Sequence, residues 1–353
     1  MRLHPNIMEA TRLTREGKLG DATALLRSML GGTVAEPAPR PTVLRTKPPQ
    51  LPGRGADGHQ PSSEASPSGK AGGTFEAHIH TGPQGRLTYK LYVPGSATSG
   101  APLILMLHGC TQDPDDFAAG TGMNDLADEF GFLVAYPAQT KAANASRCWN
   151  WFRPGDQKRD GGEPALIAGA TREIMARYGI DPKRVYVAGM SAGGAAATIM
   201  GEAYPDLFSA VGVHSGLACG AASDLPSAMM AMRGSGVRAA KHRGAPTFVP
   251  TITFHGDRDQ TVDRVNSDHI VERVMASGGP ILTEETIRGD DGRGRRAYTR
   301  RILRDAGGTP RLEQWTIRGA GHAWAGGDPA GSYTDRAGPD ASREMVRFFL
   351  AQG

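Results

Sequence analysis

The chain has 353 residues, of which 39% are hydrophobic and 22% charged, enough for one sizeable core with an appended segment. Its formal charge of +4 is mild, and few aromatic residues accompany its arginines, which argues against a nucleic-acid partner. No run approaches the roughly 18 apolar residues of a membrane span, so no transmembrane segment is expected.

Residues 1–31 predict a pair of short helices. Ile7, Met8 and Leu13, then Leu19, Leu25, Leu26 and Met29, recur at helical spacing around a break at Gly17–Gly20, with Asp21 as a cap. Glu9, Arg12, Arg15, Glu16 and Lys18 interrupt any unbroken apolar stretch, so no secretory signal is recognised and a cytoplasmic or granule-associated location is expected. The apolar stripe of this pair suits a granule surface, self-association or docking, with folding back onto the rest of the chain weighted equally. Residues 32–73 are rich in Pro, Gly and Ser and read as a disordered linker, which leaves 74–353 as the catalytic domain.

That domain opens on Leu103–Leu107, an apolar strand entering the polar loop His108-Gly109-Cys110. Further on, Trp149 and Trp151 lie in a dense aromatic segment that reads equally as the floor of a pocket or as core. Glu163 precedes Pro164 in the first turn of a helix, where its carboxylate serves the helix N-terminus. The strand Val185–Ala188 then leads through Gly189-Met190-Ser191-Ala192-Gly193 into an Ala-rich helix at Gly194–Met200. Gly-x-Ser-x-Gly between strand and helix is a nucleophile elbow, in which glycines permit a sharp turn that exposes Ser191 Oγ.

Residues 220–244, with Met229, Met230 and Met232, break the strand–helix rhythm and read as a lid or a plain excursion. The strand Pro250–Phe254 runs into His255-Gly256-Asp257-Arg258-Asp259, so two carboxylates stand at its carboxyl end. Asp259 is preferred as orienter, and Asp257 is expected to cap the following turn or pair with Arg258 or Arg264. His255 and His214 read as partners of backbone or loop groups near the site. The basic stretch through Arg293–Arg296 and Arg300-Arg301 reads as a solvated loop or hairpin. The strand Leu312–Ile317 precedes His322 on a Gly-rich loop, with Trp324 two residues beyond as a candidate pocket wall and a last helix at Ser342–Ala351.

The order Ser191, Asp259, His322 is that of the α/β-hydrolase fold, a mostly parallel central sheet flanked by helices. Acyl transfer through Ser191 with His322 as base needs two N–H donors for the oxyanion, and Ala192 and Cys110 supply them best. No cofactor is called for, and no zinc-spaced Cys/His cluster or phosphate-cradling loop is present, so no metal is expected.

The segments Leu105–Gln112, Cys148–Phe152, Gly162–Ile167, Gly189–Gly194, His255–Val262 and Gly319–Gly327 resemble the polyhydroxybutyrate depolymerase family of esterases, related to feruloyl and acetyl-xylan esterases. The resemblance spans about residues 74–352. It implies Ser191 as nucleophile, Asp259 as orienter, His322 as base, and Cys110 and Ala192 as oxyanion hole. It also implies a Cys110–Cys148 disulfide, whereas a cytosolic location argues for free thiols. His108 joins Trp149, Trp151 and Trp324 as candidate pocket residues. The expected activity is hydrolysis of short acyl or hydroxyacyl esters, including poly(3-hydroxybutyrate) or its oligomers. A feruloyl or acetyl-xylan type of esterase is one alternative, and a granule- or partner-binding protein on the same fold is another.

Overall fold

The computed structural model describes residues 72–235, 247–279, 283–289 and 294–353, all within the unit Lys70–Gly353. The helical pair and the linker expected before residue 72 lie outside the described residues. Ten strands form one sheet in the order β1-β2-β4-β3-β5-β6-β7-β10-β9-β8. Its centre is parallel: β4 (Leu133–Ala138), β3 (Leu103–Leu107), β5 (Val185–Met190), β6 (Ala210–His214), β7 (Thr251–Gly256) and β10 (Pro310–Ile317). Antiparallel strands close both edges, with β1 (Thr74–Gly82) and β2 (Gly85–Val93) on one side and β9 (Tyr298–Arg304) and β8 (Thr283–Gly289) on the other.

The central strands are buried on both faces, so they read as continuous apolar runs rather than alternating ones. Side chains still alternate. Leu103, Leu105 and Leu107 join one core cluster, and Ile104 and Met106 join the cluster on the opposite face. On the first face lie α3 (Gly162–Tyr178) and α4 (Ala192–Ala203). The small residues of α4 let it approach β6 closely, since a Cβ at Gly201 would lie 2.5 Å from Val211 Cγ2. The other face is covered by α1 (Pro114–Thr121), α2 (Met123–Phe130) and α7 (Ala341–Leu350), whose Phe349 stacks on Tyr186 at 5.0 Å. Helices α5 (Leu225–Met232) and α6 (Val265–Ala276) complete the set.

Of the basic stretch, Arg300 and Arg301 lie in β9, which pairs with β8, and Arg293 lies outside the described residues. Arg300 pairs with buried Glu313, and Arg301 with Glu284. No helix among the described residues is long and apolar enough to cross a membrane.

Candidate active site

Ser191 stands between β5 and α4 at φ 56°, ψ −119°, a backbone region that a non-glycine residue enters only when its surroundings enforce it. The enforcement is steric and hydrogen-bonded. Ser191 N donates to His214 O at 2.9 Å, and the elbow is pressed so closely on β3 that a Cβ at Gly193 would lie 1.9 Å from Leu107 O. Only glycine fits there.

Asp259 follows β7 with its carboxylate wholly buried. Oδ1 accepts from the N–H groups of Thr261 and Val262, both at 2.9 Å, and Oδ2 accepts from His322 Nδ1 at 2.7 Å. Burial alone would raise this carboxyl, but hydrogen bonds from His255 and His322 outweigh it and hold the group well below the usual carboxylate range. Because a carboxylate only accepts, Nδ1 of His322 carries a proton and Nε2 is left to exchange one.

His322 and Ser191 line the same cleft of about 270 Å³, with Gly109, Cys110 and Gln112 on one wall and Met190, Met232, Thr261 and Tyr333 around them. Among the described residues the N–H groups of Cys110 and Ala192 meet no protein acceptor. Two free donors beside a half-buried serine suit an oxyanion.

The loop carrying Cys110 is held by side chains. Gly109 N donates to Gln112 Oε1 at 2.9 Å, and Thr111 N donates to Ser146 O at 2.7 Å. Arg147 reaches Thr111 O and Asp113. A disulfide joins Cys110 to Cys148, and Cys219 is free and buried elsewhere.

Several sequence expectations are corrected by this geometry. None of His108, Trp149, Trp151 and Trp324 lines the cleft, because each is used inside the core. Trp149 Nε1 donates to His108 O at 3.1 Å, and Trp151 packs edge-on against Phe152. Trp324 packs edge-on against Phe117 and donates to Ser342 Oγ, anchoring the segment after His322. His108 donates from Nδ1 to Gly109 O and accepts Gln139 N at Nε2; burial pushes its pKa down and keeps it neutral.

Asp257 pairs with neither Arg258 nor Arg264. It accepts Gly319 N at 2.6 Å and so steadies the loop leading to His322. Glu163 leaves its own helix terminus, whose Glu163 N is capped by Asp156 Oδ1, and reaches instead to Asn150 and Gln139. Burial is the cause of its pKa being pushed up to about 7.

His214 and His255 do serve backbone groups. His214 Nε2 accepts Ala325 N at 3.0 Å, with burial pushing its pKa down to about 3, and His255 Nε2 donates to Val262 O at 2.8 Å. Within 220–244 the described part holds the capped helix α5, which brings Met232 to the cleft; residues 236–244 lie outside the described residues. Tyr333, Thr261 and Gln112 were not foreseen as cleft residues. Gln112 lay inside a singled-out segment, whereas Tyr333 carries no local signal, its position being set by the pairing of β11 (Trp324–Ala325) with β12 (Thr334–Asp335). Among the described residues no group of His, Cys, Asp and Glu is placed to hold a metal ion.

Sheet order, elbow and strand-end site residues define an α/β-hydrolase. Residues 87–296 match the model of the esterase PHB depolymerase family, and the chain belongs to that family. A poly(3-hydroxyalkanoate) depolymerase C of Paucimonas lemoignei is 33% identical over 252 residues, 67% of this chain and 58% of the relative. A feruloyl esterase B of Neurospora crassa is 34% identical over 140 residues, 38% of this chain and 47% of the relative. The chain thus spans about half the length of the curated relatives it matches. An acetyl xylan esterase from Aspergillus awamori shares the fold at a TM-score of 0.62 and 20% identity, over 79% of this chain and 100% of that one.

Proposed function

We propose that this chain is a serine esterase acting on short acyl or hydroxyacyl esters through an acyl-enzyme. The observation that carries the reading is His322 Nδ1 bound to buried Asp259 at 2.7 Å with Ser191 on the same cleft. Ser191 Oγ attacks the ester carbonyl and its proton passes to His322 Nε2. The developing oxyanion takes the N–H groups of Cys110 and Ala192. The ester C–O bond breaks, and the leaving alkoxide takes the proton from Nε2. Water then attacks the acyl-enzyme, gives its proton to Nε2, and Ser191 recovers its hydroxyl as the acid leaves.

The depolymerase relative supports a hydroxyacyl ester, polymeric or oligomeric, and the feruloyl and acetylxylan esterase relatives support a feruloyl or acetyl-xylan ester as the second reading. A panel of short nitrophenyl esters, hydroxybutyrate oligomers and methyl ferulate, run with fluorophosphonate labelling, tests both. Labelling at Ser191 with turnover of the oligomers is the expected result. An unlabelled serine would leave a binding protein on a hydrolase fold.

From the sequence alone, residues 1–31 are proposed to attach the enzyme to a granule surface or to a second copy. Co-sedimentation with polyester granules, with and without residues 1–73 and both carrying Ser191→Ala, reads that out. The Cys110–Cys148 bridge supports an oxidising compartment, against the cytoplasmic expectation, and a thiol count on protein taken from the cell decides between them.

A further inference from the structure

Glu163 is largely enclosed and takes no part in the acyl transfer above, yet its carboxylate gathers three donors. Oε2 accepts Asn150 N at 2.8 Å, while Oε1 accepts both Asn150 Nδ2 and Gln139 Nε2. Gln139 and Asn150 are the two feet of one loop. Gln139 Nε2 also donates to Cys148 O, and Gln139 N donates to His108 Nε2 at the end of β3. Between those feet, Ser146 O accepts Thr111 N, Arg147 reaches Thr111 O, and Cys148 is bonded to Cys110. The loop that grips the oxyanion segment is therefore itself gripped at both ends by one carboxylate.

We propose that Glu163 is a positioning residue for acyl transfer, fixing the 139–150 loop and through it the Cys110 N–H that receives the oxyanion. The inference rests on the serine esterase reading. All three partners are N–H donors, so the ionised carboxylate satisfies them and a protonated one must turn its hydroxyl toward a donor. Burial pushes this carboxyl up to about 7, and Asp156 on the short helix Pro154–Gln157 adds to it. The other titratable groups at the network are His108, held neutral by burial, and Asp113, whose carboxyl burial would raise but the Asp116 N–H and Arg147 hold below its ordinary value, while Cys148 is oxidised. Lowering the pH through neutrality thus adds a proton at Glu163, and that addition costs activity.

The test compares wild type with Glu163→Gln in the full chain, using short nitrophenyl esters from roughly pH 5 to 9, with fluorophosphonate titration counting competent serines. Glu163→Gln turns one acceptor into a donor facing donors. Per titrated serine, kcat is expected to fall roughly 10- to 100-fold with KM little changed, the cost of misplacing a reacting group by a fraction of an ångström. The wild-type acid limb is expected to carry one proton more than that of the variant. Wild-type kcat in Glu163→Gln, or acid limbs of equal proton number in the two proteins, overturns the proposal. If Glu163→Gln does not fold, Gln139→Ala, which removes one foot, decides: a lowered kcat with KM little changed is expected, and an unchanged kcat overturns the proposal. Failure of Ser191 to label in the wild type sinks the esterase reading itself, whereas normal labelling with an indifferent Glu163→Gln sinks only this inference.

Discussion

On one side of the cleft, Ser191, Asp259 and His322 follow the carboxyl ends of β5, β7 and β10, strands of one parallel sheet separated by the single strand β6 or directly paired. On the other side, Cys110 leaves β3 and is then placed by side chains: Gln112, Arg147, the Cys148 sulfur, and behind them Asn150, Gln139 and Glu163. Strand register places the first group, so each member needs only a local turn to present it. The second group depends on contacts between segments that are far apart in the chain, and on the protonation and redox state of two of them. The triad side should therefore fail abruptly and locally, and the oxyanion side by degrees and with solution conditions.

Removing the nucleophile or the base sharpens that contrast most. Ser191→Ala and His322→Ala should each cost about 10⁴- to 10⁶-fold in kcat while leaving the thermal transition in place, because neither side chain holds the sheet. Asp259→Asn should cost about 10³- to 10⁴-fold, measured on the same ester, because an amide no longer compels His322 Nδ1 to carry the proton. Opening the Cys110–Cys148 bridge, by reductant or as Cys148→Ser, should lower kcat by roughly 10- to 100-fold without abolishing fluorophosphonate labelling. The same change releases a cross-link spanning 38 residues and should lower stability by about 2–4 kcal/mol in denaturant titrations. Complete loss of labelling on reduction would erase the difference between the two sides.

The Glu163 carboxyl gives a stability signature with a definite sign. Its folded pKa of about 7 lies above the ordinary 4.5, so the folded state holds the proton more firmly, and stability falls as pH rises from 4.5 to 7. The separation is worth about 3 kcal/mol, which should appear as a wild-type stability that declines across that window relative to Glu163→Gln. Asp259 acts in the opposite sense and lower down. Its folded pKa is depressed, so its contribution is complete above the unfolded carboxylate value and is lost only as pH falls below it. The smallest effect is expected for Asp257→Asn, which weakens one exposed hydrogen bond to Gly319 worth about 0.5–1.5 kcal/mol and should change kcat by about threefold or less. A larger loss there than in Asp259→Asn would reverse the assignment of the two carboxylates.

Residues 72 onward were legible in the sequence where the signal was short and periodic. Leu103–Leu107, Val185–Ala188 and Pro250–Phe254 read as apolar strands and Leu312–Ile317 as a further strand, matching β3, β5, β7 and β10 to within two residues, and each leads to the turn or loop that carries a site residue. The Gly-x-Ser-x-Gly turn was legible because only glycine tolerates the approach of Leu107 O to Gly193. The tryptophans were not. Trp149, Trp151 and Trp324 lie within residues of the site in sequence, and nothing local tells a ring facing a cleft from one facing the core. Tyr333, which does face the cleft, is positioned by a two-residue strand pairing that leaves no periodic trace.

The sequence by itself determined the chain order Ser191, Asp259, His322, the strands that present them and the family to which the chain belongs, because those features rest on backbone conformation within a few residues. Tertiary structure alone decided that Asp257 turns to Gly319 N, that Glu163 turns from its own helix to the 139–150 loop, and that Met232 and Tyr333 wall the cleft. Those outcomes depend on which side chains burial brings within hydrogen-bond or packing distance across the sheet, and a carboxylate or a ring carries no mark in the sequence of the neighbour it will meet.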